Sequence, residues 1–253
     1  MAENNKAEKQ RVCIVCIAKD EDRTIQEWVD YHLKLGFDKI FIYQNDWTCP
    51  IECAQLVKLR ADGNERQMPA YNHWLSSGYR NDFDWVAIID CDEFIVLHKH
   101  KTISEFISEF DVTSTAGVSA NWVMFGSGGQ QLPTPNPESL IKRFTFRQKD
   151  PYAVVKPILN LKMKFSIPNP HYPSLPTIDT NHRKFVGAYN PDGPIDIIQI
   201  NHYQHKSRQE WIERIQRGSA DGRPKQMDNW DKESHSYHDV EDLKALNFLY
   251  GGH

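Results

Sequence analysis

The sequence predicts an α/β domain with parallel strands at its start, and three observations carry that expectation. VCIVCIA, residues 12–18, is a continuous apolar run of strand length, as a strand buried on both faces requires. A helical pattern and a second apolar run, KIFIYQND, follow it, and a strand–helix–strand crossover implies parallel neighbours and a right-handed connection. A third run, WVAIIDCDEFIVL, reads as another buried strand and ends abruptly in acids. The chain has 253 residues, 40% apolar and 25% charged, which excludes a disordered chain, a collagen or a coiled coil. That length buries a core without disulfides or a structural metal.

Taken in order, MAENNKAEKQ reads as a frayed tail over residues 1–10, and residues 11–253 read as one domain without linker or repeat. Thr24 and Glu27 have the spacing of a capping box. Ile25, Trp28, Val29, His32 and Leu33 then recur at helical spacing, and Gly36 suits the helix end. Pro69 is placed to open a helix through PAYNHWLSSGY. Thr102 and Glu105 form a second capping box before ISEFISEF. GVSANWVMFGSGGQ reads as a strand and a glycine loop, and LIKRFTFRQ and AVVKPILNLKM as further strands. Residues 169–194, rich in Pro, Asn and Asp, read as an irregular excursion. IDIIQINHYQHK returns to strand, Ser207 and Glu210 cap the helix SRQEWIERIQRG, and DVEDLKALNFLY reads as a last helix.

Composition narrows the function. Net charge is −4 with no dense Lys/Arg run, so neither nucleic acid nor an anionic membrane is expected as main partner. No apolar stretch approaches the ~20 residues of a membrane span, and the first residues lack a signal-peptide core, so a cytoplasmic protein is expected. Cys13 and Cys16 form a CxxC inside a strand, where side chains three apart face opposite ways. With Cys49, Cys53 and Cys91 they are expected to be buried free thiols in a reducing compartment.

The chemistry centres on Asp90 and Asp92. Read as a strand end, residues i and i+2 point to one side, so two carboxylates converge with Glu93 adjacent. Like charges so placed call for a cation, and oxygen ligands suit Mg²⁺ or Mn²⁺, which hold substrate phosphates. The plainer alternative is a solvated strand end. His202, after an apolar run, is a candidate third ligand or a packed histidine. Lys206 and Arg217 are candidate partners of a pyrophosphate or ordinary surface charges. Gly126, Ser127, Gly128 and Gly129 either let backbone N–H groups approach a ligand or simply bend the chain. Trp122 and Phe125 suit a sugar face or the core. No GxSxG, HExxH or P-loop is present.

CIVCIAKDEDRTIQEWVDYHLKLGFDKIFIYQND, WVAIIDCDEF, NWVMFGSGGQ and INHYQHKSRQEWIERIQRG occur in this order. Together they resemble the GT-A-fold glycosyltransferases of the family 92 type and their family 2-like bacterial and viral relatives. The resemblance implies a mostly parallel sheet flanked by helices. It implies a hexosyl- or deoxyhexosyltransferase that uses Mn²⁺ or Mg²⁺ and a nucleotide sugar, a UDP-sugar first, with inversion, toward a glycan, polysaccharide or other hydroxyl acceptor. It places Ala18, Lys19, Glu21 and Asp46 at the nucleotide, Asp90 at the ribose or metal, Asp92 on the metal, and His202 at the metal or the diphosphate. Lys206 and Arg217 then follow the histidine as basic contacts, and Gly126 to Gly129 border the donor sugar and the acceptor. The catalytic base is expected between the glycine loop and His202, where Asp150, Asp179 and His171 are candidates. Two alternatives remain: a non-catalytic sugar-nucleotide or glycan-binding module, and a haloacid-dehalogenase-like phosphatase. Against the phosphatase, a whole βαβ unit precedes the DxD, and DEF lacks the expected Thr or Val.

Overall fold

The computed structural model describes residues 9–111, 116–132, 139–218, 226–233 and 236–251. Residues 1–8 of the expected tail lie outside them. The chain opens with β1 (Val12–Ala18), α1 (Ile25–Lys34), β2 (Lys39–Gln44) and β3 (Leu56–Arg60). Next come α2 (Gln67–Ser76), a 3₁₀ turn (Gly78–Asp82), β4 (Trp85–Ile88), β5 (Glu93–Leu97) and α3 (Ile103–Ile107). β6 (Gly117–Met124), α4 (Leu140–Arg143), β7 (Phe146–Arg147) and β8 (Tyr152–Asn160) form the middle. The last part holds β9 (Thr177–Ile178), β10 (Lys184–Phe185), β11 (Ile198–His202), α5 (Arg208–Arg217), α6 (Met227–Glu233), β12 (Val240–Glu241) and α7 (Lys244–Tyr250).

Among the described residues one large sheet runs β10-β9-β6-β8-β4-β1-β2-β3, with β11 joining β6 and β5. The β3-β2-β1-β4 half is parallel, as the apolar runs predict. The second half is not. β8 is antiparallel to both β4 and β6, and β5 is antiparallel to β11. The expectation of a mostly parallel sheet is therefore corrected to a mixed one: β8 inserts between β4 and β6 and reverses the direction.

Helices cover both faces. Trp28 of α1 packs on one face with Cys16, whereas Tyr71 and Trp74 of α2 pack on the other with Cys13. The CxxC thus divides between two cores, as strand alternation requires. All five cysteines are free, and Cys53 is the one that is only half-buried.

Local expectations fared unevenly. Thr102–Glu105 and Ser207–Glu210 both form complete capping boxes. Thr24 does not: its side chain makes no cap bond. Glu27 turns away to accept from Ser139 Oγ, the Leu140 N–H at 2.6 Å and Tyr250 O–H at 2.9 Å. That carboxylate sits at the start of α4, so the first part of LIKRFTFRQ is helix rather than strand. DVEDLKALNFLY likewise splits into β12 and the shorter α7. WVAIIDCDEFIVL is two strands, β4 and β5, with the acids on the turn between them.

Candidate active site

A cleft of about 950 Å³ opens at the carboxyl ends of β1, β4 and β11, which is where open α/β sheets bind ligands. Ala18, Lys19, Glu21, Asp90, Asp92, His202 and Arg217 line it, as do Trp122 and His171. Ala18, Lys19, Asp90 and His202 are gathered because they end or follow strands of one sheet, and α5 brings Arg217 to the same edge.

The two acids line one cleft but do not meet at one point as the strand reading expects. Asp90 and Asp92 lie on the β4–β5 turn, so strand alternation does not align them. Asp90 accepts from Lys156 Nζ at 2.8 Å and from Gln67 at 3.2 Å. Asp92 faces the other way, with Oδ2 3.1 Å from Arg214 and Oδ1 3.7 Å from His202 Nε2. Burial works against ionising Asp92, but Arg214 foremost, with His202, Lys206 and Lys156, holds it well below the usual carboxylate range. Burial lowers the pKa of His202 to about 3 despite Asp92, so its imidazole is neutral. Its Nδ1 is buried without a hydrogen-bond partner among the described residues.

Glu93 begins β5, fully buried behind the acid turn and outside the cleft lining. Its Oε2 accepts from the Asp90 N–H at 2.9 Å and lies 3.5 Å from Lys156. Oε1 has no partner among the described residues. Burial pushes its carboxyl well above the carboxylate range against the pull of Lys156. Lys156 itself is fully buried and stays charged, because Asp90, its 2.8 Å partner, outweighs its desolvation.

A second cluster walls the cleft. Glu21 bridges Lys206 Nζ at 3.1 Å and Arg217 at 2.9 Å. Burial would raise the Glu21 pKa, but Lys206 and Arg217 bring it down. Arg217 also donates to the Lys19 carbonyl and, at 3.2 Å, to that of Asp20. The backbone at Asp20 and Lys206 is left-handed, with φ 53° and 46°. For a lysine that conformation is uncommon and of the kind that clusters at functional sites.

Other expected residues fall elsewhere. Lys206 lines a neighbouring cavity of about 270 Å³ on the far side of Glu21. Asp46 lies outside the cleft lining but pairs with Lys19 at 3.5 Å. Gly126, Ser127 and Gly128 are also outside it: the Gly128 N–H donates to His238 Nε2 at 3.1 Å. A Cβ on Gly126 would meet His238 at 2.6 Å, so packing accounts for this glycine. Phe125 is core, against Tyr203. Asp150 is exposed and outside the lining. Asp179 is buried and outside it, accepting from Arg183, Asn190 and the Asn181 N–H. His171 does line the cleft, with Nδ1 2.9 Å from the Val155 carbonyl.

Two residues escaped the sequence reading. Lys156 is a lysine in the middle of the apolar run AVVKPILN, a signal in itself, since a buried lysine needs partners. Arg214 stands one helical turn before Arg217, so both share a face of α5.

No group of three or more His, Cys, Asp or Glu side chains among the described residues has metal-holding geometry. The donor pair Asp92–His202 offers one carboxylate oxygen and one neutral imidazole nitrogen, too far apart to hydrogen-bond each other. Such a mixed pair fits Mn²⁺ better than the oxygen-seeking Mg²⁺, with phosphate and water to complete the shell. No helix among the described residues is long and apolar enough to cross a membrane.

Comparison with known proteins agrees with this arrangement. A stretch of 117 residues is 26% identical to a glycosyltransferase family 92 protein of Oryza sativa subsp. japonica. It covers 42% of this chain and 20% of the rice protein's length. The family model for glycosyltransferase family 92 matches residues 65–235, a span that holds the acid turn, Lys156, His202 and α5. Because that span is well over half of the chain, this protein belongs to glycosyltransferase family 92.

Proposed function

We propose that the chain is a metal-dependent glycosyltransferase domain of GT-A-like architecture. It transfers a hexose or deoxyhexose from a nucleotide sugar, a UDP-sugar, to a hydroxyl of a glycan or polysaccharide, with inversion. The observation that carries this reading is one cleft with Asp92, His202, Arg214 and Arg217 together at the carboxyl edge of the sheet. Family membership supports the transferase chemistry.

Asp92 and His202 would hold Mn²⁺ or Mg²⁺, which when bound neutralises the diphosphate as it leaves. Lys19, Arg214 and Arg217 supply fixed positive charge around the same diphosphate, so little reorganisation is needed as charge develops there. Of the three base candidates His171 is the one lining the cleft. The Val155 carbonyl can only accept, so Nδ1 of His171 carries a proton and Nε2 is the basic nitrogen. In this scheme Nε2 takes the acceptor hydroxyl proton. The acceptor oxygen then bonds to the anomeric carbon from the face opposite the diphosphate, whose C–O bond breaks.

The test is thermal stability with UDP in Mn²⁺ or in EDTA, for wild type and Asp92→Asn. A ligand at a hundred times its Kd adds about 2.7 kcal/mol to the folded state. A shift in Mn²⁺ that is lost in EDTA and lost in Asp92→Asn is expected. Equal affinity under both conditions removes the metal bridge from the reading.

A further inference from the structure

The cleft has a second character that the ionic cluster does not use. Trp122 on β6 lies with its ring 4.1 Å from His202. Tyr152 on β8 stacks beside it at 6.2 Å and 24°, and His171 meets its other edge at 5.1 Å. Tyr189 completes the row. Its backbone bridges Val154 in antiparallel pairing, so Tyr189 and Val154 share a sheet face, and Tyr152, two residues away, shares it too. All three line the cleft. Two backbone bonds pin the segment carrying Tyr189, Val155 N–H to Ala188 at 3.1 Å and Asn190 N–H to Ala153 at 2.7 Å. Yet Tyr152 is 42% exposed and Tyr189 67% exposed. Large aromatic side chains carried in the open on a pinned backbone beside the cleft are suited to a ligand face.

We propose that Tyr152 and Tyr189, backed by Trp122, are the platform for the acceptor sugar, stacking against the apolar C–H face of a pyranose. The inference rests on the glycosyltransferase reading above and assigns the acceptor end of its cleft. An aromatic face carries partial negative charge and attracts the polarised C–H bonds of a sugar ring, while the sugar hydroxyls stay directed to water and polar neighbours. The division of the cleft argues for an acceptor rather than a nucleobase. Lys19, Glu21, Gln67 and Met68 line the end beside β1 and α2, whereas the aromatic row lies on β6 and β8, across Asp92 and His202. A pyranose on this row has a ring edge toward His171, where its hydroxyl must lose a proton.

The experiment is saturation-transfer NMR with methyl pyranosides of glucose, galactose, mannose, xylose and fucose, in the presence of UDP and Mn²⁺. Wild type is compared with Tyr152→Ala, Tyr189→Ala and Tyr189→Phe. For at least one pyranoside, transfer to ring C–H protons of one face is expected. Loss of a stacking ring should reduce it about fivefold in either alanine variant, and Tyr189→Phe should retain it. The UDP–Mn²⁺ thermal shift should be the same in all four proteins. Pyranoside signals indifferent to both tyrosines, or absent throughout, overturn the proposal. So does loss of saturation on the uracil protons in the alanine variants, which would make the row a base platform. If wild type shows no UDP–Mn²⁺ shift but keeps tyrosine-dependent pyranoside contact, the transferase reading fails and the sugar platform stands.

Discussion

Two buried imidazoles flank β5, and they are treated in opposite ways. His32, on α1, has Nδ1 2.8 Å from the Trp28 carbonyl and accepts the Ile95 N–H on Nε2 at 3.4 Å. His202, beside β5 on β11, has an Nδ1 without a partner among the described residues and an Nε2 3.7 Å from a carboxylate it does not hydrogen-bond. Burial brings both down to about 3. Desolvation is thus shared, and satisfaction is what differs. Of these two imidazoles the core one completes its polar bonds within the fold, whereas the site one leaves capacity for something that arrives later. Behind the acid turn, buried Glu93 likewise keeps one oxygen without a partner among the described residues.

The strongest way to break that contrast is through Lys156, which pairs with the acids behind the turn. Lys156→Met leaves Asp90 without its 2.8 Å partner and Glu93 without a nearby cation. Removing one member of a buried ionic group costs about 3–5 kcal/mol, measurable by urea unfolding. Adding Asp90→Asn and Glu93→Gln should recover much of the loss. A single-variant cost under about 1 kcal/mol would mean that these acids are hydrated and the contrast with His32 is weaker than drawn.

Acid sharpens the comparison. The folded pKa of His32, about 3, lies below the ~6.5 of an unfolded chain. As pH falls, the unfolded state takes up the proton first, so stability is complete above pH ~7 and is lost from ~6.5 down toward 3. At pH 5 the loss is about 2 kcal/mol for this one imidazole. His32→Gln should flatten the pH 7 to 5 slope by that amount, whatever it does to absolute stability. His202→Gln should flatten the slope similarly and also abolish the Mn²⁺-dependent UDP shift, which His32→Gln should retain if it folds. Equal effects of both variants on the UDP shift would erase the distinction between core and site.

How much of this was legible in the sequence depends on the range over which each residue acts. The parallel β1–β4 half was readable because buried strands announce themselves as apolar runs, and two of three capping boxes because a box is local. Thr24 and Glu27 had the same spacing but not the same outcome. Glu27 is claimed by Ser139, Leu140 and Tyr250, more than a hundred residues away, and no local pattern contains them. Asp90 and Asp92 are legible as acids of one site, but their opposite orientations are not, because two strands joined by a turn read as one apolar run. Tyr152 and Tyr189 were invisible as a site: their partnership exists only through the bridge across β8.

The smallest expected effect tests whether α5 is held by its cap or by its charges. Ser207 accepts the Glu210 N–H at 3.3 Å, and Glu210 Oε2 in turn accepts the Ser207 N–H at 2.9 Å and pairs with Arg143. Ser207→Ala removes both bonds of the hydroxyl, the one it accepts from the Glu210 N–H and the one it donates to Glu210 Oε2, for a cost of about 1 kcal/mol. Arg214 and Arg217 sit two turns further on and are tied down independently, to Asp92 and Glu21. UDP affinity in Mn²⁺ should therefore be unchanged by calorimetry while the melting temperature falls by a few degrees. A loss of affinity out of proportion to that small destabilisation would show that the capping box aims the arginines, and that the site end of α5 depends on its buried start.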